Sequence, residues 1–152
     1  PPPSPSYPGS GPGTLTDGLL GTRDHRDGLW LGWSGEDMEA VIDLGRPRAV
    51  RRVGVDCLQS QGAWIFFPSS VDFAVSGDGE EWTSLGRVDV PLVQDSDKRV
   101  RRFQVGVAAG AGDEPVRFVR IRAGKLGPLP DWHAAAGEPA WLFVDEVVVE
   151  GA

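Results

Sequence analysis

The chain has 152 residues, 15 basic and 22 acidic, and a net charge of −7. That is the size of one compact domain with a sizeable core, and the acidic balance disfavours nucleic acid and anionic membranes as partners. A single cysteine, Cys57, excludes an internal disulfide and a Cys-based zinc site, and the absence of Asn excludes N-glycosylation.

Residues 1–13 (PPPSPSYPGSGPG) are Pro, Gly and Ser with one Tyr, a composition that reads as linker or extended arm. From there the pattern is β. The stretch 38–44 (MEAVIDL) predicts a strand that ends at a Gly45-Arg46-Pro47 turn. In 51–58, Val53, Val55 and Cys57 share a face; in 71–75, Val71, Phe73 and Val75 do, before a Ser76-Gly77-Asp78-Gly79 turn. Alternation recurs at Phe103, Val105 and Val107, and again at Val119, Ile121 and Ala123. Residues 142–150 (LFVDEVVVE) close the chain, with Leu142, Val144, Glu146 and Val148 expected on one face. Short alternating strands between Gly/Pro turns, with no helical period, predict a β-sandwich or jelly roll. Three long aromatic loops, 19–37, 59–70 and 124–140, are where function is expected. No apolar run approaches the ~20 residues of a membrane span, and no segment reads as a signal peptide.

Catalysis has thin support. Neither His25 nor His133 has a Ser or Cys partner at a motif spacing, and no G-x-S-x-G or H-E-x-x-H occurs. Asp24 and Asp27 offer a carboxylate pair, as any acidic loop does. Asp145 and Glu146 are adjacent in a predicted strand, so strict alternation would send them to opposite faces. Six Trp with 21 Gly point instead to binding by aromatic faces. A sugar site needs an aromatic platform with polar groups in fixed geometry. Trp64 or Trp132 would be the platform, with His25, Arg26, Asp27, Asp131 and His133 as polar partners; Trp30, Trp33, Trp82 and Trp141 are expected to pack. The basic run 98–102 (KRVRR) reads as a solvated sheet face, or as a contact with an acidic neighbouring domain.

The segments TLTDGLLGT (14–22), AVIDLG (40–45), VDFAVSGDGEEWTSLG (71–86), RFVRIRA (117–123) and LFVDEVVVEG (142–151) resemble, in order and spacing, the discoidin or coagulation-factor type C domain. Family 32 carbohydrate-binding modules share that fold. The runs 4–22, QGAWIFFPSSVDFAVS (61–76) and LGPLPDWHAAAGEPAWLFVDEV (126–147) are most similar to the C-terminal domain of bacterial family 20 glycoside hydrolases, the β-N-acetylhexosaminidases. The chain departs from that pattern at Ala134-Ala135-Ala136, where Pro-Gly is usual.

The resemblance implies an all-β, antiparallel, eight-stranded jelly-roll β-sandwich of the galactose-binding-domain type, with residues 1–5 as linker and 6–152 as the domain. It also implies a structural Ca²⁺ held by Asp17, Thr22 and Glu146, with Asp24 as a further candidate. Glu146, a carboxylate on an otherwise apolar face, must be paired, protonated or metal-bound. The implied function is a non-catalytic carbohydrate-binding accessory module of a bacterial enzyme, extracellular or periplasmic, partnered by an amino-sugar or galactose-type glycan and an upstream catalytic domain. The alternative is a structural domain that packs on the catalytic barrel and binds no glycan. A third reading, adhesion to protein or phospholipid, would need Phe66-Phe67 exposed as apolar spikes.

Overall fold

The computed structural model describes residues 3–4, 30–107 and 114–151. These contain eight strands: β1 (Leu31–Ser34), β2 (Met38–Arg48), β3 (Val50–Gln59), β4 (Ser70–Ser76), β5 (Thr83–Asp89), β6 (Arg99–Gly106), β7 (Val116–Gly124) and β8 (Trp141–Gly151). They form two antiparallel four-stranded sheets, ordered β1-β8-β3-β6 and β2-β7-β4-β5. The chain changes sheets at every connection except the β4–β5 hairpin, which gives the expected jelly-roll sandwich.

The core lies between the sheets, and the alternating apolar positions line it. Val53, Val55 and Cys57 face Val71, Phe73 and Val75 together with Phe103, Val119, Ile121 and Ala123, all buried. Each Val, Ile or Phe among them contributes about 1.5–3 kcal/mol on leaving water. Trp30 and Trp33 are buried, and Trp141 packs edge-on against Phe143 at 5.9 Å. Trp82 lies on the outer surface under the Arg120 guanidinium, 4.5 Å from its ring centre. Burial pushes the Cys57 thiol far above its ordinary range, helped by the negative charges of Asp145 and Asp56.

Three local expectations need correction. The 19–37 stretch is not one loop, because 31–34 pair with 141–144 of β8 as the edge strand β1. The Gly45-Arg46-Pro47 turn does not end β2; it is an irregularity inside it, where the register with β7 jumps between Asp43 and Arg48. Gly45 takes φ +82°, a conformation only Gly adopts cheaply, and its N–H donates to Asp43 Oδ1 at 2.8 Å. The third concerns β8. Val55 pairs with Val147 but Cys57 with Val144, so two steps along β3 are matched by three along β8. The extra residue is a β-bulge at Asp145 and Glu146. The core face of β8 is therefore Leu142, Val144, Val147 and Val149, and not the set that includes Glu146 and Val148. The expectation that Asp145 and Glu146 must point to opposite faces fails for the same reason. Both are buried.

Arg117 at the start of β7 clamps the β2 irregularity with two bonds to Asp43, at 2.8 and 2.9 Å. That hydrogen bond first, and the Gly45 N–H second, hold the Asp43 carboxyl at about 2. A carboxyl lowered by folding adds stability in full above its unfolded value of about 3.9. The contribution is lost as pH falls towards 2. Asp43→Asn keeps the Gly45 bond and loses the charge. Its thermal midpoint should therefore fall below the parent's at neutral pH, with the gap closing between about pH 4 and 2. Melts recorded across that range check this; a constant gap would contradict it.

Candidate functional site

The register places four connections at one end of the sandwich. Gln59 of β3 pairs with Arg99 of β6, Ser70 of β4 with Gly124 of β7 and Asp89 of β5, and Ser34 of β1 with Trp141 of β8. The loops 35–37, 60–69, 90–98 and 125–140 therefore share this apex.

Gln61 ties three of these loops together. It begins a 3-10 turn, Gln61–Ala63, closed by a two-way backbone pair between Ser60 and Ile65 at 2.9 and 3.1 Å. Its carbonyl accepts the Trp64 N–H at 3.0 Å and bonds His133 Nε2 at 2.7 Å. Its side-chain amide donates to the Val93 carbonyl at 2.8 Å and accepts the Asp95 N–H at 2.9 Å. The side chain is buried, and all of this bonding joins segments that lack ladder hydrogen bonds of their own.

The 125–140 loop is braced on itself. Pro128 bridges to Pro139, the Leu129 N–H donates to the Glu138 carbonyl at 2.7 Å, and the His133 and Ala136 N–H groups close successive turns. The Ala134-Ala135-Ala136 run fits these turns, and Gly137 supplies φ +89° where the chain reverses. Beneath lies a small apolar cluster of Phe66, Leu129 and Ala140. Phe66 is fully buried, so Phe66-Phe67 does not form an exposed spike.

His133 Nδ1 accepts the Ala135 N–H at 2.9 Å, so Nε2 carries the proton and donates to Gln61. Both ring nitrogens are thus engaged, and His133 acts as a brace between loops. Trp132 rests against Phe66, ring centres 6.0 Å apart, yet stays 40% exposed. Trp132, His133 and Ala134 form one wall of an open cleft of about 270 Å³. Gln61 and Gly62 form its base, and Gln94, Asp95 and Ser96 the facing wall. The Asp95 carboxyl is held below the usual carboxylate range by the Asp97 N–H first and the Arg99 guanidinium second, so this wall carries a fixed negative charge.

Trp64 lies on the neighbouring turn, 36% exposed, and is not among the walls of that cleft. It is the one non-glycine residue at positive φ (68°) among the described residues, a conformation that costs roughly 1–3 kcal/mol. Asp131 is exposed just before Trp132, also off the cleft. His25, Arg26 and Asp27 lie outside the described residues, as do Asp17, Thr22 and Asp24. Glu146 is 8% exposed at the β8 bulge, two residues beyond Val144, which pairs with Leu31 where the chain enters β1. No group of three His, Cys, Asp or Glu residues able to hold a metal ion occurs among the described residues.

Gln61, Gln94, Asp95 and Ser96 were not singled out by the sequence. Removing the Gln61 side chain costs two hydrogen bonds of about 1 kcal/mol each. Gln61→Ala should lower stability by about 1–3 kcal/mol in denaturant titrations. It should also speed hydrogen exchange at the Asp95 amide, while the main-chain bonds to His133 and Trp64 persist.

The comparisons with known proteins agree with this architecture. The F5/8 type C domain family matches residues 4–142. The module CpGH89CBM32-6 from Clostridium perfringens superposes with a TM-score of 0.53 at 15% identity, over 91% of this chain and 83% of that one. The C-terminal domain of a chitobiase from Bacteroides fragilis gives 0.53 at 16%, over 95% and 83%. CpGH89CBM32-4 from C. perfringens, solved in complex with glcNAc-alpha-1,4-galactose, gives 0.52 at 12%, over 97% and 85%. Comparison with curated proteins gives no match. A jelly-roll sandwich that gathers its long loops at one end, together with a family match spanning nearly all of its length, establishes that the chain belongs to the F5/8 type C, or discoidin, domain family.

Proposed function

We propose that the chain is a non-catalytic carbohydrate-binding accessory module of a secreted bacterial glycoside hydrolase of the β-N-acetylhexosaminidase type. The observation that carries this reading is Trp132: a large aromatic, braced from below by Phe66, left 40% exposed beside polar groups. One face of a sugar ring stacks on the indole, while Gln94, Asp95 and Ser96 meet its hydroxyls from across the cleft. His133 positions Trp132 and does not itself contact the sugar, since both its nitrogens are engaged. Trp64, kept in a conformation Gly would adopt at lower cost, is a second platform at the same apex. The similar module bound to glcNAc-alpha-1,4-galactose supports an amino-sugar or galactose-type ligand, and the chitobiase domain supports the hexosaminidase setting. A non-catalytic role fits the burial of Asp145 and Glu146, which keeps this adjacent acid pair out of any open cleft.

One stacked ring with a few hydrogen bonds supports only weak affinity per site. Titration with galactose, N-acetylglucosamine and N-acetylgalactosamine should give a dissociation constant of order millimolar for one of them. Trp132→Ala should weaken binding at least tenfold, or about 1.4 kcal/mol. Flat calorimetry and unshifted Trp fluorescence with all three sugars would overturn the proposal. They would leave the structural reading, in which the apex packs on the catalytic barrel; the exposed pair Leu92 and Val93 beside the cleft favours that alternative.

We further propose that Asp17, Thr22, Glu146 and Asp24 hold a structural Ca²⁺. Glu146 fits as a ligand: it is a carboxylate at a bulge that core packing does not use, beside the point at which the chain carrying the other three candidates enters β1. EDTA should lower the melting temperature, and Asp17→Ala should do so without EDTA. An unchanged melt in both cases removes the ion.

A further inference from the structure

A cleft larger than that beside Trp132 lies on the other side of the 90–98 loop. It is the mouth between the two sheets, about 460 Å³, within the range of small-ligand sites. On β6, Arg99, Arg101 and Phe103 alternate onto the inner face, and Phe103 is buried in the core. The two arginines thus continue the core face outward into the mouth. Gln59, the last residue of β3, lies on the same inner face as Cys57 and Val55 and also lines the mouth.

The chemistry of these walls is specific. Phe67, Val90, Pro91 and Val93 supply apolar surface, with Phe67 edge-on to Phe103 at 5.3 Å. Arg99 is neutralised by Asp95 and Asp97. Arg101 forms no ion pair with any described residue; its guanidinium lies over the Phe103 ring, 5.1 Å from the centre. A guanidinium without a counter-ion offers a planar fork of donors that can grip a carboxylate with two parallel bonds. Gln59 is only 6% exposed, and it lines the cleft. An arginine without an ion pair among the described residues, a glutamine amide and an apolar wall therefore converge on a single space.

We propose that this inter-sheet mouth is a second binding site, for a carboxylate-bearing sugar residue. Arg101 takes the carboxylate, Gln59 a ring hydroxyl, and the Phe67–Val90–Pro91 wall an apolar sugar face. The site is separate from the Trp132 cleft, and Asp95 with Arg99 forms the partition.

NMR titration of the whole chain with D-galacturonate, D-galactose and acetate tests this. Galacturonate should shift the amides of residues 59, 90–93 and 99–101, with affinity at least tenfold above that of galactose at the same amides and weakened by added salt. Arg101→Gln and Gln59→Leu should each reduce that affinity at least fivefold, and Trp132→Ala should leave it intact. The proposal is overturned if galactose binds there as well as galacturonate, if acetate alone matches galacturonate, or if both variants bind like the parent. Loss of the Trp132 cleft's ligand in Trp132→Ala, with galacturonate binding retained, separates the two sites. Should Arg101→Gln fail to fold, Gln59→Leu decides alone.

Discussion

The backbone carbonyl of Gln61 governs the apex. A carbonyl oxygen has two lone pairs, and here one takes the Trp64 N–H and the other the imidazole of His133. The residue's own side chain reaches the opposite way and pins the 93–95 segment. Loops that carry binding groups must be held in place without ladder hydrogen bonds, and a scaffold of side-chain-to-backbone bonds is the economical way to do so. The consequence is that Trp132, His133 and the 94–96 wall are not independent. Each takes its position from one residue that no ligand needs to touch.

The 90–98 loop gains a second meaning from this arrangement. Gln61 anchors it on one side, and the Arg99 contacts to Asp95 and Asp97 anchor it on the other. Exposed ion pairs add little stability, with a median near 0–1 kcal/mol. Here the Asp95–Arg99 pair sets a boundary of charge. Asp95 lines both clefts, whereas the guanidinium groups of Arg99 and Arg101 line the inter-sheet mouth alone. A single loop thereby separates a cleft with no arginine in its walls from one that holds two.

Alternation of residue type made the central strands β3, β4 and β7 legible because each is long enough to show the period, although burial itself alternates only in β7 and covers both faces over most of β3 and β4. Short β1 was hidden: its four residues, LGWS, include three that are buried in succession, so no alternation marks it. The inner face of β6 was legible at Phe103 and obscured at Arg99 and Arg101, since arginine carries no sign of the core. The Trp132 loop announced itself by its aromatics. Gln61 did not, because its importance comes from burial among three loops, and contacts between 61, 93–95 and 133 span distances in sequence that no local pattern encodes. The residues 5–29, to which most of the calcium and several sugar candidates belong, stand outside what the structure describes.

The bulge in β8 bears on how this strand came to have its length. Leaving out one residue at 145 or 146 would give unbroken alternation through Val144, Val147 and Val149, with every core side chain still inward. Packing alone would therefore be served by a ten-residue strand where eleven are present. The additional residue sits at the one place in β8 where a change of chain length is silent to the hydrophobic face, and it makes room for two acidic side chains in succession. A deletion there would retain the sandwich while removing an acid, which makes the length of β8, more than its composition, the trace of a demand that packing does not impose.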